Sequence, residues 1–205
     1  NGLKLTIDDK ILSKDYIWMT IKLMQEFGAT IEWKQDVIKI ESGKYQAKEI
    51  IVESDWSSAS YWFEIISLSE NSMVELTGVE KNSLQGDSVL TELYKTLGVD
   101  SVFTNFGVRI KNIPTTCTYF EYDFTDCPDL AQTLAVTLVA KQIPFKLSGL
   151  DNLSIKETDR IQALVTEFEK LGVHLESKSN NTLLWKGAEV IRVPEDHFVE
   201  TYEDH

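Results

Sequence analysis

Cysteine is scarce in this chain: Cys117 and Cys127 are the only two among 205 residues. They form no Cys-x-x-Cys pair and have no neighbouring His cluster, which argues against both a disulfide framework and a zinc site. A reducing cytoplasm is the expected setting. Positive charge is also short, with 20 Lys and Arg against 33 Asp and Glu and a formal net charge of -13. That imbalance repels nucleic-acid phosphate and anionic membrane surfaces, so neither is an expected partner. No apolar run approaches the roughly 20 residues needed to cross a bilayer, and the polar start Asn1-Gly2-Leu3-Lys4 lacks a signal-peptide core. The protein is expected to be soluble.

What is present suits a packed fold. With 42% hydrophobic residues and 10% aromatics, a chain of this length can bury roughly 70% of its unfolded surface, enough for one large domain or two modest ones. An acidic protein can still bind anionic metabolites where a few Lys and Arg converge, so each basic residue counts individually. The chain begins without Met and ends on Glu203-Asp204-His205, and is read as a piece of something longer.

A repeat runs along it. An amphipathic stretch followed by a hydrophobic residue, Gly and a small apolar residue occurs three times, at Phe27-Gly28-Ala29, Leu97-Gly98-Val99 and Leu171-Gly172-Val173. The stretches are 17–26, 88–96 and 161–170, with apolar residues at three- and four-residue steps, and each Gly suits a left-handed helix C-cap. Hairpins follow, at 30–33 with 37–41 and at 173–176 with 183–186. The second and third copies have an earlier half: a strand (49–53; 119–124), a helix (59–69; 130–141) and a strand ending in Gly (73–78; 144–149). The predicted fold is α/β (α+β), built of strand-helix-strand-helix-strand-strand units with helices packed against four-stranded mixed sheets. Two whole units, about 49–113 and 114–193, and half of another are visible.

Charged and polar residues gather where strands lead into helices. The densest group is Asp151-Asn152-Leu153-Ser154-Ile155-Lys156-Glu157-Thr158-Asp159-Arg160. With Thr158 or Ser154 as N-cap, Lys156, Glu157 and Arg160 surround a helix N-terminus, where free N–H groups and the dipole favour anions. If the helix reached back to Lys156, that residue and Arg160 would share a face, a like-charge pair that a bound anion would relieve. Asp126-Cys127-Pro128-Asp129-Leu130 opens another helix, and Asp129 occupies the same place in its half-unit as Glu157 in the next, so two carboxylates and two cations can converge. Leu12-Ser13-Lys14-Asp15-Tyr16 and the hydroxyl-rich run from Asp55 to Ser60 precede helices too. Taken locally, all of these also fit plain capping and solvated charge, and residue chemistry alone leaves both readings open.

Lys156-Glu157-Thr158-Asp159-Arg160 resembles the Lys-Glu-(Ser/Thr)-Asp-Arg signature of the 5-enolpyruvylshikimate-3-phosphate synthases. The likeness extends, in the family's order, through 12–17, 55–61, 82–87, 128–129 and 201–205. It implies an enolpyruvyl transferase-like, monomeric, cofactor-free and metal-free cytoplasmic enzyme of two lobes. Residues 1–53 would belong to one lobe and 54–205 to the other, ending in a linker to a further unit. It implies transfer of the enolpyruvyl group of phosphoenolpyruvate to the 5-hydroxyl of shikimate 3-phosphate. Ser13, Tyr16, Asp129, Asn152 and Lys156 would hold shikimate 3-phosphate and Arg160 would hold phosphoenolpyruvate. Glu157, with Asp129 or Lys156, would move protons, and His205 would stand beside an Arg that the chain does not reach. About half of the family's length is covered, so the chain by itself is expected to be inactive. A transferase acting on UDP-N-acetylglucosamine, against which the signature speaks, and a noncatalytic α/β repeat module are the competing readings.

Overall fold

The computed structural model describes residues 2–8, 11–196 and 198–204. Strand β1 (Leu3–Thr6), helix α1 (Lys14–Glu26) and the hairpin of β2 (Ile31–Lys34) and β3 (Val37–Ile40) make the first half-unit. The second unit contributes α2 (Trp56–Leu68), β4 (Met73–Thr77), α3 (Leu90–Thr96), β5 (Val99–Phe103) and β6 (Gly107–Asn112). The third is complete, with β7 (Phe120–Asp123), α4 (Leu130–Ala140), β8 (Phe145–Ser148), α5 (Arg160–Lys170), β9 (Glu176–Lys178) and β10 (Thr182–Trp185).

Sheet order repeats with the units. The strands run β1-β3-β2, β4-β6-β5 and β7-β8-β10-β9, with β7 and β8 parallel and every other pair antiparallel. Among the described residues only the third sheet has the expected four strands. Residues 49–53 add no strand to the second sheet; Ser54 N–H donates to Gly78 C=O at 2.8 Å, and Ile51 and Val52 are 91% and 83% exposed. An alternating run gains little from pairing when neither face has anything to bury against. The strand expected at 173–176 begins instead at Glu176, because Val173 N–H is already engaged by Phe168 C=O at 3.0 Å in closing α5. Strand β1, at four residues, is too short to show as a pattern in the sequence.

The helix ends follow from glycine. Gly28, Gly98 and Gly172 sit just past α1, α3 and α5 with φ of 90°, 94° and 77°, the left-handed conformation that only Gly adopts without strain. Ala29 N–H reaches back to Met24 C=O at 3.0 Å, as Val173 does to Phe168.

Helix α4 is apolar nearly all round, with Leu130, Ala131, Leu134, Ala135 and Leu138 fully buried, as a helix enclosed on several sides must be. It packs on α2 of the preceding unit, where the Ser60 and Thr133 hydroxyls meet at 2.8 Å, and meets α3 through Tyr94 Oη and Thr137 Oγ1 at 2.7 Å. One core thus extends from Trp56 to Trp185, while Ile21, Ile31 and Ile38 form a small separate one. Among the described residues no helix is long and apolar enough to cross a membrane.

Gly149 and Gly172 make a comparison of backbone strain with steric exclusion. A Cβ at Gly149 (φ 74°) would lie 2.2 Å from Asp123 Oδ1 and 2.5 Å from Thr125 N, whereas at Gly172 it meets only Val190 O at 3.6 Å. Gly172→Ala should cost about 1 kcal/mol and Gly149→Ala about 3 kcal/mol. Urea unfolding of the two variants would measure the difference, and equal losses would mean the Gly149 approach is not tight.

Candidate active site

Asp129 stands where α4 begins. Its backbone is helical (φ -67°) and its side chain caps nothing, because Leu130 and Ala131 N–H are already taken by Cys127 and Pro128 C=O. The carboxylate is therefore available to cations: Oδ1 accepts from Arg160 Nη1 at 2.7 Å, and Lys156 Nζ lies 3.3 Å from both oxygens.

The cations arrive from the loop after β8. Leu150 and Leu153 are fully buried and pin the 3-10 turn Asp151–Ile155 to the core. Lys156 then takes an extended conformation (φ -77°, ψ -159°). Asp159, rather than Thr158 or Ser154, caps α5, accepting from Gln162 N–H at 3.0 Å. The helix does not reach back to Lys156, so the same-face pairing of Lys156 and Arg160 is not formed. Their positive charges are instead neutralised together across Asp129.

Arg160 is only 11% exposed, and buried charge requires partners. Besides Asp129, its Nε and Nη2 donate to Asp204 Oδ2 and Oδ1 at 2.7 and 2.8 Å, and Nη2 to Glu157 Oε2 at 3.2 Å. The hydrogen bond to Asp204 is the main reason its pKa lies above the usual value, with burial opposing. Glu157 is the most open of the three carboxylates at 44% exposure.

These groups share a cleft of about 920 Å³ with Tyr16. Burial lifts the Tyr16 phenol above its ordinary pKa, and the carboxylates of Asp129, Asp87 and Asp55 add to the effect against Arg160. Ser13 and Asn152 do not line the cleft; Asn152 Nδ2 donates to Ser13 Oγ at 2.9 Å, joining the first half-unit to the third. Ser13 has a left-handed backbone (φ 51°) and makes no side-chain cap to α1. The run 55–60 does cap: Asp55 accepts from Ser57 and Ser58 N–H at 3.1 and 3.0 Å. Burial raises Asp55, but the hydrogen bonds from Ser58 and Ser57 outweigh it and hold the carboxyl below its usual range. His205 lies outside the described residues. Among the described residues no group of three or more His, Cys, Asp or Glu is placed to hold a metal.

Asp204 and Asp87 are among the acidic residues at the site that the sequence reading does not single out. Asp204 reaches Arg160 only because the segment before it folds back along α5, and no local pattern signals that. Asp87 is buried in a second cavity of about 150 Å³, which Tyr16, Asp55 and Ser57 also line. It accepts from Ser57 Oγ at 2.5 Å. Its only sequence signal is its place in the family-like stretch 82–87.

Burial pushes the Asp87 carboxyl up to about 6; the Ser57 hydrogen bond and Lys156 oppose this, while Asp129 and Asp55 reinforce it. An acid whose folded pKa is raised binds more protons folded than unfolded, so stability falls as pH rises from about 4 to about 6 and then levels off. The Asp87 contribution to that fall should be about 2 kcal/mol. Urea titrations at pH 4.5 and 7 should show Asp87→Asn, which can still accept from Ser57, losing that share of the pH dependence. An unchanged slope would mean that Asp87 titrates normally.

A family model described as EPSP synthase (3-phosphoshikimate 1-carboxyvinyltransferase) matches residues 1–205. A 3-phosphoshikimate 1-carboxyvinyltransferase of Bacteroides fragilis is 44% identical over 206 residues, which cover 100% of this chain and 50% of that protein. One from Xenorhabdus nematophila is 33% identical over 213 residues, covering 100% and 47%. The EPSP synthase structure from Acinetobacter baumannii has the same fold, with a TM-score of 0.68 at 20% identity over 92% of this chain and 44% of that one. The chain thus spans about half the length of the curated relatives it matches. Its signature, its repeat and its match over residues 1–205 place it in the EPSP synthase (3-phosphoshikimate 1-carboxyvinyltransferase) family.

Proposed function

We propose that the complete protein carrying this chain transfers the enolpyruvyl group of phosphoenolpyruvate to the 5-hydroxyl of shikimate 3-phosphate and releases phosphate. The observation that carries this reading is the meeting of Asp129, Lys156, Glu157 and Arg160 at one cleft, from two repeat-equivalent helix starts. In the proposed reaction the methylene carbon of phosphoenolpyruvate takes a proton. The sugar hydroxyl gives one up and its oxygen bonds to the adjacent carbon. Loss of phosphate and of a proton from the new methyl group then restores the double bond.

Asp129, held between two cations, is suited to take the hydroxyl proton or to orient that hydroxyl, with Lys156 returning protons nearby. Glu157, open to the cleft and hydrogen-bonded to Arg160 at 3.2 Å, is the proposed proton carrier to and from the methylene carbon. Arg160 is suited to a carboxylate or phosphate because its planar fork can make two parallel contacts, which Lys cannot. Tyr16 would contribute to the same ligand shell, with Ser13 and Asn152 reaching shikimate 3-phosphate from the junction they already share. His205 is proposed as a further neighbour of phosphoenolpyruvate.

Residues 1–53 are proposed as part of one lobe and 54–205 as part of the other, a division supported by the two separate cores. The enzyme is read as cytoplasmic and monomeric, working without metal or organic cofactor. The 205-residue chain alone is proposed to be inactive, since it covers about half of its relatives.

Phosphate release from phosphoenolpyruvate by the complete protein, with shikimate 3-phosphate and UDP-N-acetylglucosamine offered separately, tests the reading. Release with the shikimate acceptor alone is expected; release with neither would favour a noncatalytic repeat module. Glu157→Gln should lower kcat by about 100-fold or more with little change in substrate binding, and equal losses in both would contradict its proton-transfer role.

A further inference from the structure

Arg160 has five N–H donors in a rigid fork, and its Nε–Nη2 edge, the edge best shaped for a carboxylate, is already filled. Asp204 occupies it with both oxygens, at 2.7 and 2.8 Å. Asp129 and Glu157 take the other two contacts. Three carboxylates around Arg160 and Lys156 leave the cluster one negative charge in excess, so it repels a further anion unless one carboxylate gives way.

Asp204 is the one placed to do so. Asp129 is fixed by α4 and shared with Lys156, whereas Asp204 comes from an extended segment laid along α5. That segment is held at Lys170, whose Nζ lies 5.5 Å from the centre of the Phe198 ring. It is held again at Glu167, which accepts from Tyr202 Oη at 2.6 Å and from Glu200 N–H at 3.4 Å. The last turn carries strain: Tyr202 and Glu203 both have left-handed backbones, φ 56° and 55°, before Asp204 N–H bonds Thr201 C=O at 3.0 Å. Two successive non-glycine residues in that region are sterically unfavourable, and the Arg160 contact offsets that cost.

We propose that Asp204 is an internal occupant of the Arg160 fork, which an anionic ligand carboxylate or phosphate must displace to bind. The proposal rests on the assignment of Arg160 to phosphoenolpyruvate and deepens it. Exchange breaks the two Asp204 contacts and makes two equivalent ones to the ligand, while the Glu167 and Lys170 contacts keep the segment on α5. Asp204 thereby sets the affinity for the anion and discriminates against anions too weak or too poorly shaped to take the fork.

The test is calorimetric titration of phosphoenolpyruvate into the complete protein and its Asp204→Asn variant, with turnover measured in parallel. Removing the competing charge should tighten phosphoenolpyruvate binding about tenfold and lower its KM, leaving the KM for shikimate 3-phosphate unchanged. Equal or weaker binding in the variant would overturn the proposal and make Asp204 a positioning residue for Arg160. Should Asp204→Asn fail to fold, Asp204→Ser carries the same expectation. A wild-type protein that binds phosphoenolpyruvate but turns over neither acceptor would sink the proposed reaction while leaving the displacement to be decided by the titration. A protein that does not bind phosphoenolpyruvate at all, with or without Asp204, would sink both.

Discussion

The Arg160 guanidinium is the contact on which the site's geometry depends. A nearly buried cation is unfavourable unless its donors meet acceptors of opposite charge, and three carboxylates from three parts of the chain meet it: Asp129 at the start of α4, Glu157 in the loop before α5 and Asp204 from the segment laid back along α5. Each could satisfy its own charge in water. Held together on one fork, they fix where the loop 150–159 ends, where α5 begins and where the segment after it stops. The same grouping collects cationic donors at a helix start, and under the proposed displacement an anion takes the fork only as Asp204 leaves it.

The repeat explains why the carboxylates arrive at one place. In each complete half-unit a strand leads into a helix, and Asp129 and Glu157 precede α4 and α5 of the same unit, whose strands β7 and β8 lie side by side and parallel. Parallel neighbours bring the ends of their strands, and hence the starts of the helices that follow, to the same edge of the sheet. The buried α4, packed through its hydroxyls against α2, supplies a rigid base for one of them. The turn anchored by Leu150 and Leu153 supplies it for the other.

Much of this was legible in the sequence. The three hydrophobic-Gly-apolar tripeptides located three helix ends, since glycine is needed where the backbone turns left-handed. The order of strands and helices in the third unit followed from pattern alone, and the signature 156–160 led to four of the side chains at the cleft. What was not legible depends on partners distant in sequence. Residues 49–53 alternate as a strand does, yet they have nothing to pack on. Asp159 rather than Thr158 became the cap because the core-bound 3-10 turn delivers Lys156 extended. Asp87 and Asp204 lie in the family-like stretches 82–87 and 201–205 but nothing local marks their contacts, since their roles come from a cavity wall shared with α1 and from a chain reversal along α5.

The most direct test of the central claim is a double-mutant cycle on unfolding free energy of the 205-residue chain, using Asp129→Asn, Arg160→Gln and the pair. If the two starts of α4 and α5 are coupled through this ion pair, the coupling energy should be about 2 kcal/mol, the size expected for partly buried charged neighbours. Additive losses, with a coupling near zero, would mean that the two helix starts are positioned independently and that the Arg160 cluster does not organise the site.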